Sequence, residues 1–227
     1  MPNPVISTVP FGHTAPHLGD LTLRDQAALA AISTVIRSRA NADLIRRGDP
    51  AEAIYNLVEG VACVYRDRPM GRRRVLGFLF PGDLCGLARQ GTHINSIRTI
   101  TPATFFRIPV TSLTSLLLKD AKLQLHFLCK ATQGVRESQR HIMMLARRRP
   151  SDRLATFLSM LDDVQGRTGT VVLPMTIEDA GDWLDLPTRA VVHALHVLQT
   201  RQIISYDGEQ GVTIVDRDQL HTIAAAE

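Results

Sequence analysis

The stretch from Met175 to Ile204, MTIEDAGDWLDLPTRAVVHALHVLQTRQII, constrains this chain more than any other, because two short helical periods meet in it across a turn of a few residues. Ile177, Ala180, Gly181 and Leu184 recur at three- and four-residue intervals and share one face of a first helix. Thr176 stands where an N-cap hydroxyl accepts a first-turn amide, and Glu178 and Asp179 put acid in the electropositive first turn. Asp185-Leu186 supplies the turn. A second helix is expected to start with Pro187 at its first position, where a missing N–H costs nothing. Val191, Ala194, Leu195 and Leu198 form its buried stripe and leave Thr188, Arg189, Val192, His193, His196 and Thr200 facing outward. Such a face fits a DNA major groove. Taken alone, the same pattern also describes a helical hairpin within a core.

The following residues favour the first reading. Ile203, Ile204 and Tyr206 start a strand, Asp207-Gly208 is a turn signal, and Gly211 to Val215 reads as the returning strand. Helix, turn, helix and hairpin make a winged helix-turn-helix, whose wing lies over the phosphate backbone. Just upstream, Arg136, Arg140, Arg147, Arg148, Arg149 and Arg153 face only Glu137 and Asp152, a local excess that equals the +4 of the whole chain. That cluster is either a solvated helix face or a surface for DNA phosphates or an acidic partner.

The pattern differs between Ser33 and Pro109, where short apolar runs (Ile54 to Val58, Val61 to Tyr65, Arg74 to Phe80, Ala103 to Ile108) alternate with turn signals such as Glu59-Gly60 and Pro81-Gly82-Asp83. Many short strands at this spacing predict a small antiparallel barrel or jelly roll. Ahead of them, a helix beginning near Leu21 would pack Leu23, Ala27, Ala30, Ala31 and Val35 on one side. After them, Ala121 to Arg148 is the longest helical pattern, with Phe127, Ala131, Val135, Ser138, Ile142 and Leu145 in steps of four or three. Leu128 and Met143 widen that face, and Ala131 and Gly134 permit close approach. A seam of this length exceeds what one small barrel can cover, so pairing with the same helix of a second subunit is expected. Pro150-Ser151-Asp152 then forms a hinge and caps a helix from Arg153 to Leu161. The organisation expected is α+β: an N-terminal extension (1–20), a β-barrel domain (21–120), a dimerisation helix and hinge (121–149) and a winged helix-turn-helix domain (150–227).

Composition excludes several classes. At 227 residues and 44% apolar content, each domain can build a core. No apolar run is long enough to span a bilayer and no signal-peptide pattern opens the chain, so a cytoplasmic protein without membrane contact is expected. Cys63, Cys85 and Cys129 are odd in number and widely spaced, which argues against a disulfide framework or a zinc site. The eight histidines form no metalloprotease motif, and no P-loop or nucleophile elbow is present, so no enzyme and no metal site is expected.

Several segments together resemble the Crp/Fnr family of bacterial transcription regulators: Ile45 to Ala51 (IRRGDPA), Asn56 to Gly60 (NLVEG), Pro81 to Leu87 (PGDLCGL), Arg153 to Leu158 (RLATFL) and the winged module. The resemblance covers nearly the whole chain. It implies a homodimer with a cyclic-nucleotide-binding-like jelly roll, a long dimer helix and a domain that reads a roughly two-fold symmetric site in double-stranded DNA, with RNA polymerase as a further partner. Where the family's recognition helix carries a Glu and a later Ser-Arg or Gly-Arg pair, this chain has Arg189 and Val192-His193, so a different operator is expected. Arg189 and His193 are nominated as base or phosphate contacts, and Thr176, Thr188 and Thr200 as phosphate contacts. In the barrel, the family's cyclic-nucleotide binders carry Gly-Glu and then Arg-Ser or Arg-Thr, against Gly82-Asp83 and Arg98-Thr99 here. Those four and Cys85 are the candidate effector or redox residues. No cysteine precedes Cys63, so no iron-sulfur cluster is expected, and no cofactor is identified. Cyclic nucleotide stays open on the partial match at Arg98-Thr99, and haem on His93. The segment at Pro81 to Leu87 looks nearest to the FixK and nitrogen-oxide branches, which suggests a redox, oxygen or nitrogen-oxide signal. The alternative is a ligand-binding interaction module whose DNA binding has weakened.

Overall fold

The computed structural model describes residues 23–68, 73–88, 91–208 and 211–225, so the expected N-terminal extension lies outside the described residues. The chain divides into two compact units, 1–135 and 136–227.

In the first unit α1 (Leu23–Ala31) precedes the strands β1 (Thr34–Ser38), β2 (Asp43–Ile45), β3 (Ala53–Glu59), β4 (Ala62–Asp67), β5 (Arg73–Leu79), β6 (Leu84–Cys85), β7 (Ser96–Thr99) and β8 (Ala103–Pro109), then α2 (Val110–Leu117) and the start of α3 (Ala121–Leu145). Two antiparallel sheets, ordered β1-β8-β3-β6 and β2-β7-β4-β5, face each other as the jelly-roll expectation requires. Their shared core holds Ile45, Leu57, Ala62, Ile97 and Phe105. Because successive strand residues point to opposite faces, Phe106 turns the other way and joins Leu29, Ile54, Ile108, Leu113 and Leu123 beneath the helices. β3 and β8 are therefore covered on both faces, which is why their runs are apolar almost throughout. The β3–β4 turn needs Gly60, at φ +89°, since a Cβ there would collide with the Pro102 carbonyl.

Two expectations for this unit change. Val35 lies in β1 rather than on α1, and Ala27 and Ala31 are exposed while Leu29 is buried. The helix turns its one bulky aliphatic of that turn inward, because a leucine gains more from burial than an alanine.

The second unit begins with the last turns of α3 and continues through α4 (Pro150–Val164), β9 (Thr170–Val172), α5 (Ile177–Leu184), α6 (Thr188–Thr200), β10 (Ile204–Tyr206), β11 (Gly211–Ile214) and α7 (Arg217–Ala225). α3 stops at Leu145, three residues before the expected Arg148, and Pro150 holds Arg149 extended, φ −89° and ψ 128°, at the start of α4. α4 packs on α6 and α7, burying Leu154, Phe157, Leu158 and Leu161 with Leu195, Leu198 and Leu220. The expected wing is present as β10 paired with β11, and β9 adds a third strand on the far side of β11. Asp162, 1% exposed, fastens this corner: its carboxylate lies 2.8 Å from Arg217 Nη2 and accepts from the Gly169 N–H at 3.3 Å. Among the described residues no helix is long and apolar enough to cross a membrane.

Candidate nucleic-acid interface

The helix-turn-helix is built as its residues direct. Thr176, extended at φ −69° and ψ 155°, caps α5 by accepting the Asp179 N–H at 3.1 Å through its hydroxyl oxygen. Asp185 ends α5 in the left-handed region, φ 56° and ψ 44°, which a short polar side chain tolerates. The Leu186 N–H then returns to the Gly181 carbonyl at 2.8 Å, closing the turn. This turn needs Gly181, whose Cβ, if present, would lie 2.8 Å from the Leu186 carbonyl oxygen. Pro187 is not the first helical residue. With φ −66° and ψ 149° it is the N-cap of α6, a position that also requires no N–H, and the helix starts at Thr188.

On α6, Val191, Ala194, Leu195 and Leu198 are buried, and Thr188, Arg189, Val192, His193, His196 and Thr200 are all exposed. The Thr200 hydroxyl donates to the His196 carbonyl at 2.9 Å, so its proton serves the helix itself. Thr176 is exposed at the start of α5.

The basic cluster divides in two. Arg147 donates to the carbonyls of Ile223 and Ala224 at 2.7 and 2.5 Å, satisfying the C-terminal end of α7. Arg153 donates through Nη1 to the Leu184 and Asp185 carbonyls, 3.1 and 3.3 Å away, at the C-terminal end of α5, and through Nε to the Arg147 carbonyl at 2.8 Å. Both guanidinium groups meet the electronegative ends of helices. Arg136, Arg140, Arg148 and Arg149 are exposed. A further tie was not apparent from the sequence. The His141 ring stacks on Trp183 with centroids 4.2 Å apart and planes 1° from parallel, and its Nε2 lies 2.9 Å from the Trp183 carbonyl oxygen. Phe157 packs on the same indole, centroid to centroid 5.0 Å.

Along α3, Leu128, Val135 and Ile142 are 61%, 59% and 65% exposed at seven-residue intervals. Ala131, Gly134 and Ser138 are exposed between them, and Leu145 is half-buried. Phe127 departs from the expected seam. It packs against the core of its own barrel, since the first turns of α3 cover Leu113 and Ile108, and Leu128 takes the outward place.

Two family models match the chain: a cyclic nucleotide-binding domain over residues 35–120 and a Crp-like helix-turn-helix domain over residues 152–223. The transcriptional activatory protein AadR of Rhodopseudomonas palustris is 29% identical across 92% of this chain and 88% of its own length. The nitrogen fixation regulation protein FixK of Bradyrhizobium diazoefficiens is 29% identical across 78% and 76%. The structure of FixK2 from Bradyrhizobium japonicum superposes with a TM-score of 0.80 at 28% identity, covering 86% of this chain and 99% of that one. The chain belongs to the Crp/Fnr family.

Within this Crp/Fnr protein the candidate effector residues are divided between the two facing sheets. Gly82, Asp83 and Cys85 lie at or beside β6 in one sheet, while Arg98 and Thr99 lie on β7 in the other. Gly82, at φ +95°, and Asp83 shape the β5–β6 turn, and the Asp83 carboxylate accepts the Phe80 N–H at 2.8 Å. Thr99 is wholly buried and donates its hydroxyl proton to the Arg39 carbonyl at 2.7 Å. Arg98 donates to Asp43 at 2.8 Å and lies over the Tyr65 ring. The hydrogen bond from Arg98 holds the Asp43 carboxyl below the usual carboxylate range against the opposing effect of burial, and the same pairing raises Arg98. A guanidinium so committed and a hydroxyl so enclosed do not fit the phosphate-pairing role that the partial cyclic-nucleotide motif suggests. Cys85 is buried, which pushes its thiol up to about 12, so it holds almost no thiolate at neutral pH. His93, the histidine nominated for haem, is buried beside the loop at Gly48-Asp49, and desolvation lowers its pKa despite the nearby Asp49 charge.

Proposed function

We propose that this Crp/Fnr protein is a homodimeric, non-enzymatic transcription regulator of the cytoplasm that reads a two-fold symmetric promoter site in double-stranded DNA. One observation carries the reading: α6 buries a complete apolar stripe and presents Thr188, Arg189, Val192, His193 and His196 from its first turns on the open side. A single copy reads only half a symmetric site, so the exposed heptad of Leu128, Val135 and Ile142 supports pairing through α3. In this arrangement Arg189 pairs with a guanine edge, His193 and His196 contact bases or phosphates, and Thr176 and Thr188 contact phosphates. The likeness to a transcriptional activatory protein supports RNA polymerase as the protein partner, and relatives that include an anaerobic regulatory protein of Haemophilus influenzae and an electron transport regulator of Shewanella oneidensis support a redox or oxygen signal as the input.

The test is selection of bound duplexes from a random pool by the full chain, repeated with Arg189→Ala and His193→Ala. A two-fold symmetric consensus is expected from the parent, with each variant losing preference at its own position by about 10-fold or more. Selection of the same sequence at the same affinity by all three proteins overturns the assignment of reading residues. Failure of the parent to bind any duplex favours an interaction module instead.

A further inference from the structure

The exposed face of α6 holds one aliphatic side chain among the polar ones. Val192 is 54% exposed, one turn after Arg189 and one turn before His196. Core packing does not require it, since Val191, Ala194, Leu195 and Leu198 form the buried stripe. Helix formation does not favour it either, because a β-branched residue loses rotamer freedom that a straight-chain polar residue would keep.

The DNA groove offers a chemical reason. Guanine, adenine and cytosine present only donors and acceptors along their major-groove edges, and thymine alone adds a C5-methyl group. An isopropyl group set against a cytosine amine or a purine N7 would displace water and replace none of its hydrogen bonds. Against thymine it buries a methyl group on each side. We infer that Val192 is a specificity-determining residue that reads the C5-methyl of a thymine in each half-site, beside the guanine read by Arg189. This rests on the DNA-binding reading above. Three residues of α6 advance about 4.5 Å, against about 3.4 Å per base pair, so the thymine falls within one or two base pairs of that guanine.

The test uses the full chain and its selected duplex, with each thymine replaced in turn by deoxyuridine in both half-sites, which removes the methyl and leaves pairing intact. The parent is expected to lose about fourfold in affinity per half-site at one thymine position, the worth of one buried methyl group. The same replacement leaves Val192→Ser unaffected, and Val192→Thr, which keeps one methyl, responds in between. Circular dichroism and the oligomeric state of both variants check that the exposed substitution leaves the fold unchanged. A parent indifferent to every thymine methyl overturns the inference while leaving DNA binding in place, as does an equal loss in parent and Val192→Ser. A parent that selects no sequence overturns both this inference and the reading beneath it.

Discussion

Replacing Gly181 by alanine sets two effects of known size against each other. In an isolated helix the change would stabilise α5 by about 1 kcal/mol, because alanine loses less backbone freedom than glycine. In this fold the added Cβ stands 2.8 Å from the Leu186 carbonyl oxygen and 3.1 Å from Val191 Cγ2. The first of these atoms is backbone, and its residue is tied by the 2.8 Å bond from the Leu186 N–H to the Gly181 carbonyl, so it cannot swing aside. Reaching ordinary van der Waals separation means displacing the turn and the start of α6 by roughly half an ångström or more. Overpacking of this kind costs about 1–3 kcal/mol, which exceeds the propensity gain and leaves a net loss of about 1 kcal/mol. For a chain of this size that lowers the melting temperature by about 2–4 °C. Trp183, the single tryptophan of the chain, lies two residues away on α5 and follows the melt by fluorescence. DNA affinity should fall further than stability alone explains, since α6 moves with the turn. A rise in melting temperature of the size set by helix propensity would refute the close approach of α5 to the turn.

Two further outcomes follow from the barrel. Because Arg98 depresses Asp43 in the folded state, the Asp43 contribution is present above the ordinary carboxylate range, near pH 4, and is lost as pH falls through the lower folded-state value. Urea midpoints of the parent and Asp43→Asn should therefore differ most at neutral pH and converge in strong acid, and a gap that stays constant contradicts the pairing. The Cys85 thiol, raised to about 12 by burial, should resist iodoacetamide at neutral pH until denaturant is added, as read by peptide mass mapping. Alkylation of Cys85 in the native protein would show that the barrel opens there.

The strands legible in the sequence were those whose burial makes their pattern strong. β3 and β8 sit between the opposing sheet and the helices, so Ile54 to Val58 and Ala103 to Ile108 read plainly as strands. β1, β2, β6 and β7 were missed because TVIRS, DLI, LC and SIRT are short and carry polar residues that serve turns and pairs, as Asp43 and Arg98 do. The α5 cap, the left-handed Asp185 and the two faces of α6 were legible for the opposite reason: each depends on residues within one or two turns, where spacing carries the information. Phe127 and Leu128 show the limit of spacing. Both fit an apolar seam, and only the position of the barrel decides which one faces out.

The arginines of the hinge show the same limit with more consequence for function. Six basic residues in a short stretch fit a solvated helix face or a surface for DNA phosphates or an acidic partner, yet two of them are engaged inside the module. Arg153 holds the final carbonyls of α5, and Arg147 holds those of α7 while offering its own carbonyl to Arg153. His141, from the last turns of α3, grips the same α5 through both the indole and the carbonyl of Trp183. α5 is thus fastened by side chains that precede it in sequence by 31 to 42 residues, separations at which no periodicity is visible. These ties matter because α6 takes its position from α5 through the Gly181–Leu186 bond, and base readout tolerates little misplacement of the reading helix. A mutation at Arg153 or His141 is therefore expected to alter DNA affinity through the position of α6, whereas Arg148 and Arg149, exposed and outside this set of ties, leave that position unchanged when mutated.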